Sequence, residues 1–270
     1  KIKSGDPSAF FIFTTLYKLK KIIVRLLSCY QLDSRSLSLM RIGIALICIT
    51  DLIIRAGDLT AHYTNNGVLS TDVLYQNNGR PGMFSIHGLS GSYGYIVSLF
   101  IIHFVLAFLF LIGYKTRIIN IFLWLMTMSL QNRNVYVTQA GDELLRLVLL
   151  WGIFLPWGNY FSVDSRNQEK KKRNSTIANV GYLLLISSVY FFSATMKTSV
   201  EWHSEGSAVY YALSLEQMRL PSGDVIYQYP ELMKCLTHFV IYAEYLIPLL
   251  ILFPIKKSWL RILALIFIFI

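Results

Sequence analysis

Apolar runs long enough to cross a lipid bilayer recur along this chain, and they constrain its fold more than any other feature. They begin near residues 37, 93, 117, 142, 177, 236 and 258. Inside hydrocarbon there is no water for backbone amides, so each crossing segment must satisfy its own N–H and C=O groups, as a helix does. The expectation is an all-α, polytopic bundle of about seven spans, at about 37–55, 93–113, 117–131, 142–157, 177–196 and 236–254, with the last from Ser258 onward. A full crossing takes roughly 17–25 residues. The third and fourth runs are short, so they read as a tight hairpin that draws on flanking residues. Residues 9–30 are apolar and basic together, with Lys18, Lys20, Lys21 and Arg25. Four cations would interrupt a span, so this stretch reads as an amphipathic helix lying on the membrane surface. The chain thus divides into an interfacial segment, 1–34, and a transmembrane domain, 35–270, and further material is expected at both ends.

Charge orients the bundle. Only 15% of residues are charged, against roughly 25% in ordinary soluble domains, so the net charge of +10 is not that of a soluble nucleic-acid binder. The cations instead flank the apolar runs. Eighteen of the 25 Lys and Arg fall in segments 1–41, 114–117, 158–176 and 255–261, whereas six fall in 55–92, 132–141 and 197–235; Arg146 lies within a span. By the positive-inside rule the first set is cytoplasmic, and Lys170-Lys171-Lys172-Arg173 is a topology anchor beside anionic lipid. The reading is a multi-pass protein of a bacterial plasma membrane with its N-terminus cytoplasmic. Two long outer loops, 55–92 and 197–235, are rich in Tyr, Asn, Gly and His. Loops of that length are rarely mere connectors.

Several ionisable residues stay where lipid is expected, at roughly 2.5–3.5 kcal/mol each on insertion scales. Asp51 and Arg55 are four apart, share a helix face and read as an interfacial ion pair. Asp142 and Arg146 have the same spacing at the start of the fourth helix, and Gln131-Asn132-Arg133-Asn134 precedes them. Asp142 is equally an ordinary helix-start residue. For Arg146, a polar functional cavity and a structural buried pair both stay open. Glu244, inside the sixth span, has no cation within helical reach; it must be protonated or meet Arg146 or Lys197 from another helix. Lys197, ending the fifth span, is either a snorkelling anchor or a base poised in a desolvated cavity. His87, His103, His203 and His238 lack metal-ligand spacing, so no metal is expected. Cys29, Cys48 and Cys235 fall at different depths, and no disulfide is expected.

Ordered strings along the chain carry a family resemblance. They are Arg41-Ile42-Gly43 leading to Asp51, Gly67-Val68-Leu69, Ser85-Ile86-His87-Gly88-Leu89-Ser90-Gly91 and Gly113-Tyr114-Lys115-Thr116-Arg117. Ser129-Leu130-Gln131-Asn132-Arg133-Asn134, Gly141-Asp142, Phe154-Leu155-Pro156, Lys197-Thr198 through Trp202, and Ala208-Val209-Tyr210-Tyr211-Ala212-Leu213 follow. Together, over about 35–257, they resemble the horizontally transferred transmembrane (HTTM) domain family, the membrane domain shared with vitamin K-dependent gamma-glutamyl carboxylases. The resemblance implies a reduced quinone, vitamin K or menaquinol, bound towards the outer side. It also implies a lysine base that falls on Lys197, framed by Tyr190-Phe191 and Trp202. Met196 replaces a second lysine of the pattern. A histidine of the pattern falls near Gly141-Asp142 and has no counterpart. The lumenal domain that follows the membrane domain in those carboxylases is absent from this sequence.

Two functional readings follow. In the first, a quinol-linked enzyme modifies an extracytoplasmic protein or peptide, with Lys197 as base and Asp142, Arg146, Glu244, Asp51, Asn132 and His87 shaping a polar cavity. In the second, a non-catalytic accessory protein helps mature or export a secreted peptide, binding it or a partner subunit through the two long loops. With no internal repeat and no paired broken helices, a transporter is the weakest reading.

Overall fold

The structure, a computed structural model, describes residues 17–269 apart from 19, 23, 78–83, 168–171, 217–218 and 256–258. Residues 9–16 of the expected interfacial helix, Lys170 and Lys171 of the basic run, and Ser258 lie outside the described residues. The chain is helical almost throughout, as its apolar runs require. Strand structure among the described residues is one two-residue antiparallel pair, β1 (Leu32–Asp33) with β2 (Arg173–Asn174).

The chain forms two compact units. One is Gln31–Asn179; the other joins Lys1–Tyr30 to Val180–Ile270. We call them the N-proximal and C-proximal units.

In the N-proximal unit, α1 (Ser34–Gly57), α4 (Tyr93–Ile112), α5 (Thr116–Arg133) and α6 (Ala140–Gly152) pack in chain order, and the short α2 (Leu59–Tyr63) and α3 (Thr71–Asn77) lie between α1 and α4. Asp33 caps α1 by accepting from Arg35 N at 2.8 Å. One stripe of α1 is buried, including Ser34, Ser38, Arg41, Ala45, Cys48 and Leu52, at the three-to-four-residue period of a helix face. A cluster of Leu52, Leu59, Tyr63, Ile96, Phe100 and Leu130 forms an apolar core.

The buried stripe of α5 is unlike the others, for it includes Thr116, Asn120, Thr127, Ser129, Gln131 and Arg133. Many apolar side chains of this unit also face outward: Leu46, Ile47, Ile53 and Ile54 on α1 and Ile101, Val105 and Phe108 on α4 are exposed. In water such a surface would be an aggregation liability; against lipid it is the expected one.

The C-proximal unit contains most of α7 (Ile177–Met196), the short helices α8 (Val200–His203), α9 (Ala208–Ser214) and α10 (Pro221–Tyr227), and then α11 (Pro230–Leu252) and α12 (Trp259–Phe269). Its N-terminal segment is tied to the C-terminal helices. Tyr30 donates to Leu252 O at 2.8 Å, and Arg261 donates to Cys29 O at 2.7 Å. Described parts of the 197–235 loop are tied together: Arg219 pairs with Asp224 at 2.6 Å and lies 4.8 Å from the Tyr227 ring, which stacks on Tyr210.

Among the described residues, four helices are long and apolar enough to cross a membrane: α1, α4, α7 and α11. The expected third and fourth spans correspond to α5 and α6. At a rise of 1.5 Å per residue, the 13 residues of α6 reach about 20 Å, short of the roughly 30 Å of hydrocarbon.

Candidate functional site

The ionisable residues singled out in the sequence fall into two groups, one per unit. In the C-proximal unit, Lys197 and Glu244 form an ion pair, with side chains 15% and 16% exposed. Ser193, four residues before Lys197 and so on the same side of the helix, joins them. It accepts from Lys197 Nζ at 2.8 Å and donates to Glu244 Oε1 at 3.0 Å. The ammonium also stands 4.9 Å from the Trp202 ring centroid, within cation–π range. Backbone contacts fix this corner: the Lys197 carbonyl lies 2.7 Å from His203 Nε2, and the His203 carbonyl lies 2.9 Å from His238 Nε2. Gly206, at φ +68°, passes so close to His238 and Lys234 that a side chain would collide. Of the two partners expected for Glu244, the structure selects Lys197.

Proline shapes the same region. Pro248 lies inside α11 and has no N–H to donate, so the carbonyl four residues earlier, that of Glu244 itself, loses its helical hydrogen bond. One turn further along α11, a cavity of about 460 Å³ opens between α7 and α11. Leu184, Phe191, Leu249, Leu252 and Phe253 line it, together with Ser187, Ser188, Pro248 and Pro254. Ser187 is 2% exposed, and its Oγ has no hydrogen-bond partner.

The N-proximal group centres on Arg55. Its guanidinium meets Asp51 at 2.8 Å, Asp142 at 2.7 Å and the Tyr63 hydroxyl at 2.9 Å. Asp142 therefore faces Arg55, not Arg146 as its four-residue spacing suggested. Arg146 turns instead to Glu143, on a more exposed side of α6. The reason lies in α6's own start: Asp142 accepts from Gln139 N in a capping box, which directs its carboxylate towards the bundle and leaves Arg146 a different neighbour. The Tyr63 phenol is pushed up by burial, an effect the Arg55 contact partly offsets. Asp51, Arg55, Gln139 and Asp142 form the polar part of a cavity of about 470 Å³ whose other walls include Ile44, Ile47, Leu144, Leu145 and Val148. Apolar walls with a few convergent polar groups are the usual make-up of a small-molecule site.

His87 and Asn132 belong to the framework around this unit. His87 is fully buried; Ser129 Oγ accepts from its backbone N–H and sits 2.7 Å from Nδ1. Burial, with Arg133 nearby, pushes the His87 imidazole down to about 4. Asn132 donates to Phe84 O at 2.8 Å. Its neighbours do likewise elsewhere: Gln131 holds Asp142 O, Arg133 holds Leu69 O and Asn134 holds His62 O. The polar string at the end of α5 is thus a set of clamps on surrounding backbone.

Arg41 works in the same way. Fully buried, it donates to the carbonyls of Phe110, Leu111 and Phe161 and so neutralises the C-terminal end of α4. Gly113, at φ +73°, ends that helix, and a Cβ there would stand 2.8 Å from Arg41 Nη1. Sequence reading gave no role to Arg41, Ser193 or Tyr63, and took Gln131 only as one of a polar string. Only Ser193 carried a local signal, its four-residue spacing from Lys197.

No family model, curated protein or solved structure matches this chain.

Proposed function

We propose that this chain is a multi-pass membrane enzyme linked to a quinol, related to the membrane domain of vitamin K-dependent gamma-glutamyl carboxylases and acting on an extracytoplasmic protein or peptide. The observation that carries the reading is the Lys197–Glu244 pair on two membrane-length helices, one turn from an apolar cavity. The 18-to-six bias of cations supports a cytoplasmic N-terminus, which puts Lys197 at the outer end of α7.

The residues present fit a reduced quinone. A cavity of about 460 Å³ is within the range of small-molecule sites. Leu184, Phe191, Leu249 and Phe253 would hold the apolar part, and the unpartnered Ser187 hydroxyl would meet a ring oxygen. When bound, the quinol would supply reducing power for oxygen chemistry.

The chain's own contribution is proton handling. The Lys197–Glu244–Ser193 cluster shares a proton that sits on Nζ in the ionic form. Moving it to the Glu244 carboxylate leaves a free amine, the form in which lysine acts as a base. Ser193 bridges both groups and holds their geometry in either state, and Trp202 shields the ammonium from water.

The test is to add vitamin K hydroquinone or menaquinol, with oxygen, to the purified protein in lipid nanodiscs and assay for quinone epoxide. Turnover that disappears in Lys197→Ala is expected. Its absence from a folded wild-type sample would overturn the reading.

One observation favours the accessory reading: Lys197 is held by a carboxylate, a hydroxyl and an aromatic face at once, as in a structural ion pair. On that reading the loops 55–92 and 197–235 would bind a secreted peptide or a partner subunit. Peptide maturation would then survive replacement of Lys197 and Glu244 together.

A further inference from the structure

His238, in the first half of α11, sets both of its ring nitrogens against oxygen. Nδ1 lies 2.9 Å from the carbonyl of Lys234, one turn earlier on the same helix, and Nε2 lies 2.9 Å from the carbonyl of His203 at the end of α8. A carbonyl oxygen only accepts, so each contact needs an N–H on the ring. A neutral imidazole has one N–H and an imidazolium has two. The partners around His238 are therefore those of the charged ring. Gly206 makes the arrangement possible. At φ +68° it brings the turn after α8 against the ring, and a Cβ there would stand 2.7 Å from His238 Cε1 and 3.3 Å from Nδ1. The same end of α8 reaches Lys197. His203 Nε2 lies 2.7 Å from the Lys197 carbonyl, and Trp202, the residue before His203, lies over the Lys197 ammonium. What His238 holds is the end of the short helix that covers Lys197.

We propose that His238 is a proton-operated latch on α8: charged, it pins His203 and with it Trp202 over Lys197; neutral, it loosens both. Loss of either ring proton weakens the hold. With the remaining proton on Nδ1, a bare Nε2 faces the His203 carbonyl and the contact turns repulsive. With it on Nε2, the bond persists without the charge that makes such a donor roughly twice as strong, and a bare Nδ1 faces the Lys234 oxygen. Histidine ordinarily changes charge between about pH 5 and 8, so the cover over Lys197 is firm on the acid side and loose on the alkaline side. Lys234, on the same helix, opposes a charge on the ring, and Glu205, beside Gly206, favours it. The other ions on elements packed against α11 are engaged elsewhere: Asp224 of α10 with Arg219, Arg261 of α12 with Cys29 O, and Lys197 of α7 with Glu244. The latch stands on these contacts alone; its effect on turnover rests on the reading of Lys197 as a base.

The experiment puts the full chain, ¹⁵N-labelled at histidine, in lipid nanodiscs and follows two signals from about pH 4 to about pH 9. NMR reads the charge of the His238 ring, assigned with His238→Gln. Hydrogen exchange, with its intrinsic pH dependence divided out, reads the protection of the Ser204 and Glu205 amides, which donate to Val200 O within α8. Protection is expected to fall roughly tenfold as the ring loses its second proton, the difference between a charged and a neutral donor, and to be low at every pH in His238→Gln. A ring that never changes charge across the series, or protection that stays level while it does, overturns the proposal; the wild type decides, whatever the variant's folding. Epoxide formation is expected to show a pH profile that shifts in His238→Gln. A latch seen by exchange in a protein that forms no epoxide overturns the quinol reading and leaves the latch standing.

Discussion

The two units handle charge in opposite ways. In the N-proximal unit, charged and polar side chains are interior building material. Arg41, Arg133 and Asn134 are buried and hold backbone carbonyls, and Arg55 ties Asp51 on its own helix to Asp142 on α6. The C-proximal unit has long apolar helices and a largely buried ion pair that joins the end of one to another, Lys197 with Glu244. Charge spent on architecture explains itself by what it holds together. The Lys197 pair holds only its own neighbourhood, which makes it the better candidate for chemistry.

The contrast is easiest to break at Arg55. Arg55→Leu strands two carboxylates in a largely buried site and should cost roughly 3–5 kcal/mol, read as a lost or strongly lowered thermal transition in detergent. An effect under about 1 kcal/mol, the level of a surface pair, would mean the cluster is not structural. Lys197→Met strands one carboxylate and should cost less, about 2–3 kcal/mol. Lys197→Met with Glu244→Leu should return stability to within about 1 kcal/mol of wild type, because an apolar pair can replace a buried ionic one. Epoxide formation should stay lost. Recovery of stability without function would sharpen the contrast between the units; recovery of both would favour the accessory role.

His87 supplies a pH test of the N-proximal framework. Its folded value, about 4, lies below the ordinary 6.5, so the unfolded chain binds the extra proton first. Stability is therefore full above pH 6.5 and falls as pH drops towards 4, by about 2 kcal/mol between pH 7 and 5. His87→Gln should flatten that slope in a pH series of melting curves. The smallest effect is expected at Ser193→Ala, about 1 kcal/mol, with a larger fractional loss of epoxide formation, since Ser193 bridges both members of the pair.

What was legible in the sequence was local. Helical periodicity marked the long apolar helices, and four-residue spacing paired Asp51 with Arg55. The same rule failed at Asp142, because its partner on α1 is 87 residues away and the capping box at Gln139 directs the carboxylate there. Glu244 was recognisable as needing a distant cation, though spacing alone left two choices. The clamps of Asn132 and Arg133 were read as cavity lining or as generic polar residues. Each acts on a loop carbonyl, and backbone acceptors leave no mark in a sequence.

The end of α5 sets a rule for the lineage of this gene. Gln131, Asn132, Arg133 and Asn134 reach in four directions from consecutive positions, each to a different stretch of backbone. A helix turns about 100° per residue, so deleting or inserting one codon upstream within α5 would re-aim all four at once. Point substitutions here should be survivable one by one. Frame-preserving single-codon indels between α5's first turn and Asn134 should be purged together, leaving a stretch of fixed length.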